Sequence, residues 1–140
     1  MTSHPLSLET KKKLENVSVA TIATALFKRG LRNQVIQDVR PLAQKGRNMV
    51  GPAFTLRYMP AREDRNQLTE FRNPAHPQRR AIEECPAGHV LIMDSRKSAY
   101  AASAGDILVT RLMMRDAAGV VTDGGFRDAM NIAKLEMPAY

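Results

Sequence analysis

The chain has 140 residues, 44% of them apolar and 25% charged, which excludes wholesale disorder, a collagen-like chain and a coiled coil. No run approaches the roughly 18 apolar residues of a membrane span, Met1–Pro5 contains no apolar secretory core, and the single cysteine, Cys85, excludes an internal disulfide or a cysteine-cluster metal site and fits a reducing cytoplasm. The net charge of +7 is uneven: residues 1–50 carry +6, residues 51–100 carry +2 and residues 101–140 carry −1. Such a surplus can serve a polyanion, but the basic residues are scattered, tryptophan is absent and aromatics are only 5% of the chain. The surplus therefore reads as a solvated surface, with no direct nucleic-acid contact.

Ser7 has the residue type of an N-cap, and a short helix follows it through Lys11–Lys13, whose lysines read as a solvated face. A stronger helix spans residues 18–29, with Val19, Ile22, Ala23 and Leu26 at helical spacing and Gly30 placed to stop it. Residues 34–39 read as a short strand or extended link. Residues 49–58 read as a strand, with Pro52 at an edge or bulge because it lacks an N–H. The polar, proline-punctuated segment 60–77 is a long loop. A short helix over 77–85 turns Ala81, Ile82 and Cys85 inward, and Pro86-Ala87-Gly88 is a turn. Residues 89–93 are a buried strand begun by His89. A helix is predicted over 105–118, a buried strand over 119–122, a turn at 123–125 and a helix over 127–135. Alternating strands and helices give an α/β domain. Pro138 opens a further extended segment, so the domain is expected to be C-terminally incomplete.

The chemistry concentrates in residues 105–128. Gly105-Asp106-Ile107-Leu108 opens one helix, and Gly124-Gly125-Phe126-Arg127-Asp128 follows a buried strand. One helix and one strand return the chain to the same end of the sheet, so the two turns can face each other across a pocket. The free amides of Ile107 and Leu108 can hold a carboxylate, and Arg127 can grip it bidentately. Asp106 and Asp128 offer oxygens to a hydrated Mg²⁺ or Mn²⁺. Taken alone, Asp106 reads rather as a favourable acidic residue in a first helical turn, and Arg127 with Asp128 as an exposed ion pair. Asp123 reads as a turn former, and Asp94 as either a turn residue or a pocket wall. His4, His76 and His89 lack metal-ligand spacing, and His76 reads as solvated. Cys85 reads as a buried small residue, and the methionines, Met113 and Met114 included, as core filler.

These residues carry a resemblance. Gly105-Asp106-Ile107-Leu108 with Gly119-Val120-Val121-Thr122-Asp123-Gly124-Gly125-Phe126-Arg127-Asp128 resembles the signature of the 4-hydroxy-4-methyl-2-oxoglutarate aldolase family. That family, RraA-like, also contains the regulator of ribonuclease activity A. Further matches are Gly51-Pro52-Ala53-Phe54-Thr55, residues 87–94 and the helix around residues 20–26. The resemblance covers most of residues 17–140, outside the 60–77 loop. It implies one RraA-like swivelling β/β/α domain over residues 1–140, with residues 1–16 as a helical extension and 60–77 as an insertion. It implies a cytoplasmic, metal-dependent class II pyruvate aldolase, assembled as a homotrimer or hexamer, that also decarboxylates oxaloacetate. In that scheme Asp128 ligates Mg²⁺ or Mn²⁺ and Asp106 acts on the metal through water. Arg127, with Gly105, Ile107 and Leu108, binds the carboxylate of a 2-oxo acid. The resemblance leaves two alternatives: a non-catalytic regulator that binds a ribonuclease of the RNase E type, or another metal-dependent keto-acid lyase or dehydratase.

Overall fold

The computed structural model describes residues 6–140; His4 lies outside them. Two capped helices come first. In α1 (Leu8–Glu15) and α2 (Val19–Lys28) the hydroxyls of Ser7 and Ser18 accept the amides of Thr10 and Thr21, each at 3.1 Å, filling orphan donors of the first turn. Gly30, at φ +82°, ends α2. Asn48 fixes the α1–α2 junction by donating its amide to the carbonyls of Leu14 and Val17. Residues 34–39 form a link without a strand.

Three parallel strands make the central sheet, in the order β1 (Ala53–Arg57), β2 (Val90–Asp94), β4 (Gly119–Thr122). A parallel bridge from Val120 to Ala139 extends it on the far side. Pro52 sits just before the edge strand β1, where its carbonyl accepts the Val90 amide and its missing N–H costs no ladder bond. His89 stands one residue ahead of β2. A second, two-stranded parallel ladder joins β3 (Ala102–Ala104) to β5 (Gly125–Phe126).

The register places Phe54, Leu91 and Val120 in one row and Leu56, Met93 and Thr122 in the next. Side chains of alternate residues share a face, so these rows look the same way. On that face lie α3 (Pro77–Glu84) and α4 (Asp106–Met114), whose Ala81, Ile82, Val109 and Leu112 join Cys85, Leu91, Met93 and Val120 in the core. Arg111 of α4 forks onto Glu83 of α3 at 2.9 and 2.8 Å, holding the Glu83 carboxyl below its usual range.

Four expectations need correction. The helix predicted over 105–118 stops at Met114, because Asp116 takes φ +60°. The helix predicted over 127–135 is the single turn α5 (Ala129–Ile132), since Asp128 is left-handed at φ +61°. His76 is not merely solvated: its ring nitrogen caps α3 by accepting the Gln78 amide at 3.3 Å. Met114 is 70% exposed and fills no core. Among the described residues no helix is long and apolar enough to cross a membrane.

Candidate active site

β3 and β5 are neighbours, so their C-terminal ends deliver Gly105-Asp106 and Arg127-Asp128 side by side. The Arg127 amide donates to the Ala104 carbonyl at 3.0 Å, closing the ladder at the site itself. The backbone at Gly105 comes close to both side chains of the Arg-Asp pair. A Cβ on it would lie 3.3 Å from both Arg127 Nη2 and Asp128 Oδ2, and 3.4 Å from Arg127 Nε.

Gly105 caps α4 with no side-chain hydrogen bond. The amides of Asp106, Ile107 and Leu108, first in the helix, therefore have no helical acceptor and present the positive end of the dipole. The Ile107 side chain is exposed while Leu108 packs against the core, so only their backbones serve an anion.

Arg127 Nε donates to Asp128 Oδ2 at 3.3 Å, with the guanidinium 75% exposed and the carboxylate 40% exposed. This long contact leaves the two terminal nitrogens of Arg127 for an incoming carboxylate. The left-handed backbone of Asp128 is a conformation that Asp and Asn tolerate best among residues with a Cβ. Asn131 joins the site unannounced by the sequence motif: its Nδ2 donates to Asp106 Oδ2 at 3.0 Å. Its only sequence signal is a position three residues after Asp128, within the single turn α5.

The loop after β2 packs behind the β5 turn. Asp123 is more than a turn former, because its carboxylate accepts the amides of Ser95 and Lys97 at 2.6 and 3.0 Å. Asp94 serves its own turn by accepting the Arg96 amide at 3.0 Å, and pairs with Arg57 at 2.6 Å. The Arg57 hydrogen bond, then the Arg96 amide, hold the Asp94 carboxyl below the usual carboxylate range. Gly124 is needed because a Cβ there would come within 2.7 Å of both Ser95 Cβ and the Ser98 carbonyl. Cys85 is fully buried, and burial pushes its thiol pKa up, which suits packing rather than nucleophilic attack.

No group of three or more His, Cys, Asp or Glu side chains gathers among the described residues, so a dehydrated protein cage does not fit. Asp106, Asp128 and the Asn131 amide do suit a cation that keeps most of its water and takes one or two carboxylates.

The fold and these turns define an α/β protein in which a helix start without a side-chain cap stands beside an Arg-Asp pair. Its family follows from comparison: the family model RraA-like (Aldolase/RraA) matches residues 19–140, and the chain belongs to that family. Among solved structures, it resembles Streptomyces coelicolor RraAS2, described as an unusual member of the RNase ES inhibitor RraA protein family. The identity is 32% and the TM-score 0.78, covering 97% of this chain and 63% of that one. An uncharacterised Pseudomonas syringae protein matches at 20% identity and TM-score 0.78, covering 99% of this chain and 58% of that one. The Thermus thermophilis RNA-processing inhibitor RraA matches at 23% identity and TM-score 0.52, covering 75% of this chain and 56% of that one. The last two share the fold, and this chain spans less than two thirds of the length of each of the three.

Proposed function

We propose that this chain is a divalent-cation-dependent carbon–carbon lyase that releases pyruvate from a 4-hydroxy-2-oxo acid and decarboxylates oxaloacetate. One observation carries the reading: the β3–β5 ladder brings the helix start at Gly105-Asp106 against Arg127-Asp128, a cationic grip beside two carboxylates. Arg127 and the amides of Ile107 and Leu108 bind the substrate carboxylate. Asp128 would ligate a hydrated Mg²⁺ or Mn²⁺ and Asp106 would hold it through water; when bound, the ion would supply Lewis acidity at the 2-keto oxygen as cleavage leaves the pyruvate enolate. Asn131 occupies Asp106 Oδ2, which leaves Oδ1 as the oxygen that would meet metal-bound water. Loss of CO₂ from oxaloacetate leaves the same pyruvate enolate, which makes decarboxylation the natural companion reaction.

The test is pyruvate release from oxaloacetate and from 4-hydroxy-4-methyl-2-oxoglutarate, with Mg²⁺ or Mn²⁺ and with EDTA. EDTA abolishes release. Asp128→Asn, which keeps the left-handed backbone and removes the charge, lowers metal-dependent turnover by about 100-fold or more. Arg127→Ala acts mainly on KM, raising it by about tenfold or more. Full metal-dependent turnover in Asp128→Asn would overturn the assignment.

The likeness to the Streptomyces coelicolor protein favours a second reading, a regulator that binds a ribonuclease of the RNase E type. Inhibition of RNA decay by a chain that releases no pyruvate would select it. Assembly as a trimer or hexamer belongs to either reading and is measured by light scattering.

A further inference from the structure

The strand that delivers Gly105 and Asp106 is held by a buried polar ring with no part in the carboxylate grip. Ser95 follows β2, Ser103 is central in β3 and Thr122 ends β4; they are 8%, 2% and 5% exposed. Ser103 Oγ lies 2.7 Å from Ser95 Oγ and 2.6 Å from Thr122 Oγ1, and the last two are 3.2 Å apart. Three hydroxyls supply three protons for three edges, so the ring closes with each oxygen donating once and accepting once. Thr122 Oγ1 has a further lone pair, and it accepts the Gly124 amide at 3.0 Å. Gly124 opens the turn that runs through β5 to Arg127. A single hydroxyl therefore touches both the strand leading to Asp106 and the turn leading to Arg127.

The ladder between those segments is weak without it. β3 has three residues and β5 two, with an irregular register between Ala102 and Ala104, and so short a pair has little stability of its own. Valine has nearly the shape of threonine and would meet the packing demand of a buried strand end. Threonine instead incurs a desolvation cost that only complete hydrogen bonding offsets.

We propose that Thr122 is a positioning residue: its hydroxyl fixes β3 against the Gly124–Arg127 turn and so sets the spacing of Asp106 from Arg127 and Asp128. The consequence for turnover rests on the lyase reading; the consequence for structure does not. The test compares Thr122→Val and Thr122→Ser with the parent chain by residue-resolved amide exchange, denaturant midpoint and pyruvate release. The informative amide is Arg127, whose acceptor is the Ala104 carbonyl and not the ring. Thr122→Val speeds exchange at Arg127 by tenfold or more relative to Val120, whose acceptor is Pro138, and Thr122→Ser restores it. Pyruvate release falls in the valine variant and returns in the serine variant.

Unchanged protection at Arg127, or equal acceleration at Arg127 and Val120, would overturn the proposal. If Thr122→Val fails to fold, Ser103→Ala removes the β3 end of the Thr122 link and is judged by the same amides. If the parent chain releases no pyruvate, the lyase reading fails and the exchange result still decides the role of Thr122.

Discussion

At the residue scale, Asp106 and Asn131 are the pair whose coupling can be read most directly. Their hydrogen bond is exposed, so Asn131→Ala changes global stability by no more than about 0.5 kcal/mol. Its effect falls on Asp106, which loses the donor at Oδ2 and lowers turnover. Asn131→Asp goes further, since a second carboxylate beside Asp106 disfavours ionisation and raises a carboxyl pKa. The acid limb of the pH–rate profile therefore moves to higher pH in Asn131→Asp, and further than in Asn131→Ala, which only removes a donor to the carboxylate. A profile unmoved in both variants would separate Asn131 from the chemistry. The nearness of Asp106 to Arg127 and Asp128 was legible because the one helix and one buried strand between them return the chain to the same end of the sheet. Asn131 was not, because its partner is on another element and its own neighbours read as an ordinary helix surface.

At the scale of elements, legibility followed length and period. β2 shows as an apolar run from Val90 to Met93, and α1 and α2 announce their starts through Ser7 and Ser18. β3 and β5 are too short for any period to appear, so the small-residue stretch and the glycine turn concealed the ladder that builds the site. The loop predicted over 60–77 does run between β1 and α3, with a 3-10 turn at Leu68–Arg72. Both of its ends are tied to one atom. Tyr58 Oη and Gln78 Nε2 each donate to the Ser103 carbonyl at 2.6 Å. Burial raises the Tyr58 pKa above its ordinary 10.0, and the Gln78 hydrogen bond opposes the rise more weakly. A raised pKa means the folded state keeps its phenol proton longer than the unfolded chain. The stabilisation is complete below pH 10.0 and is lost as pH climbs through the folded value. The denaturant midpoint of the parent chain therefore falls between about pH 9 and 11 more steeply than that of Tyr58→Phe, which has no phenol to titrate. Equal slopes would remove the clamp from the account.

At the scale of the whole molecule, strand and helix alternation was enough to read an α/β fold, but burial was not readable in the same way. Val19, Phe27 and Ile36 are 61%, 57% and 55% exposed, and α2 buries none of its residues despite its helical apolar spacing. Periodicity reports which face is apolar, not what covers it.

The all-parallel sheet also sets how the chain reaches its structure. No ladder in it can form by a local hairpin, because each pairing waits for a crossover to close. Folding is then slow for a chain of this size, in the millisecond-to-second range typical of non-local topologies. The β2–β4 pairing closes over α4, whose Leu112 is wholly buried, whereas β1 closes across the irregular 60–77 segment and lies at the edge. We expect the β2–α4–β4 unit to nucleate. Leu112→Ala, costing about 2–5 kcal/mol, slows folding, while Leu56→Ala in β1 chiefly speeds unfolding. Chevron plots of the two variants check this, and the reverse pattern would make β1 the early strand. Asp106, the first residue of α4, would then gain protection early, and the turn that carries Arg127 would follow once β5 closes on β3.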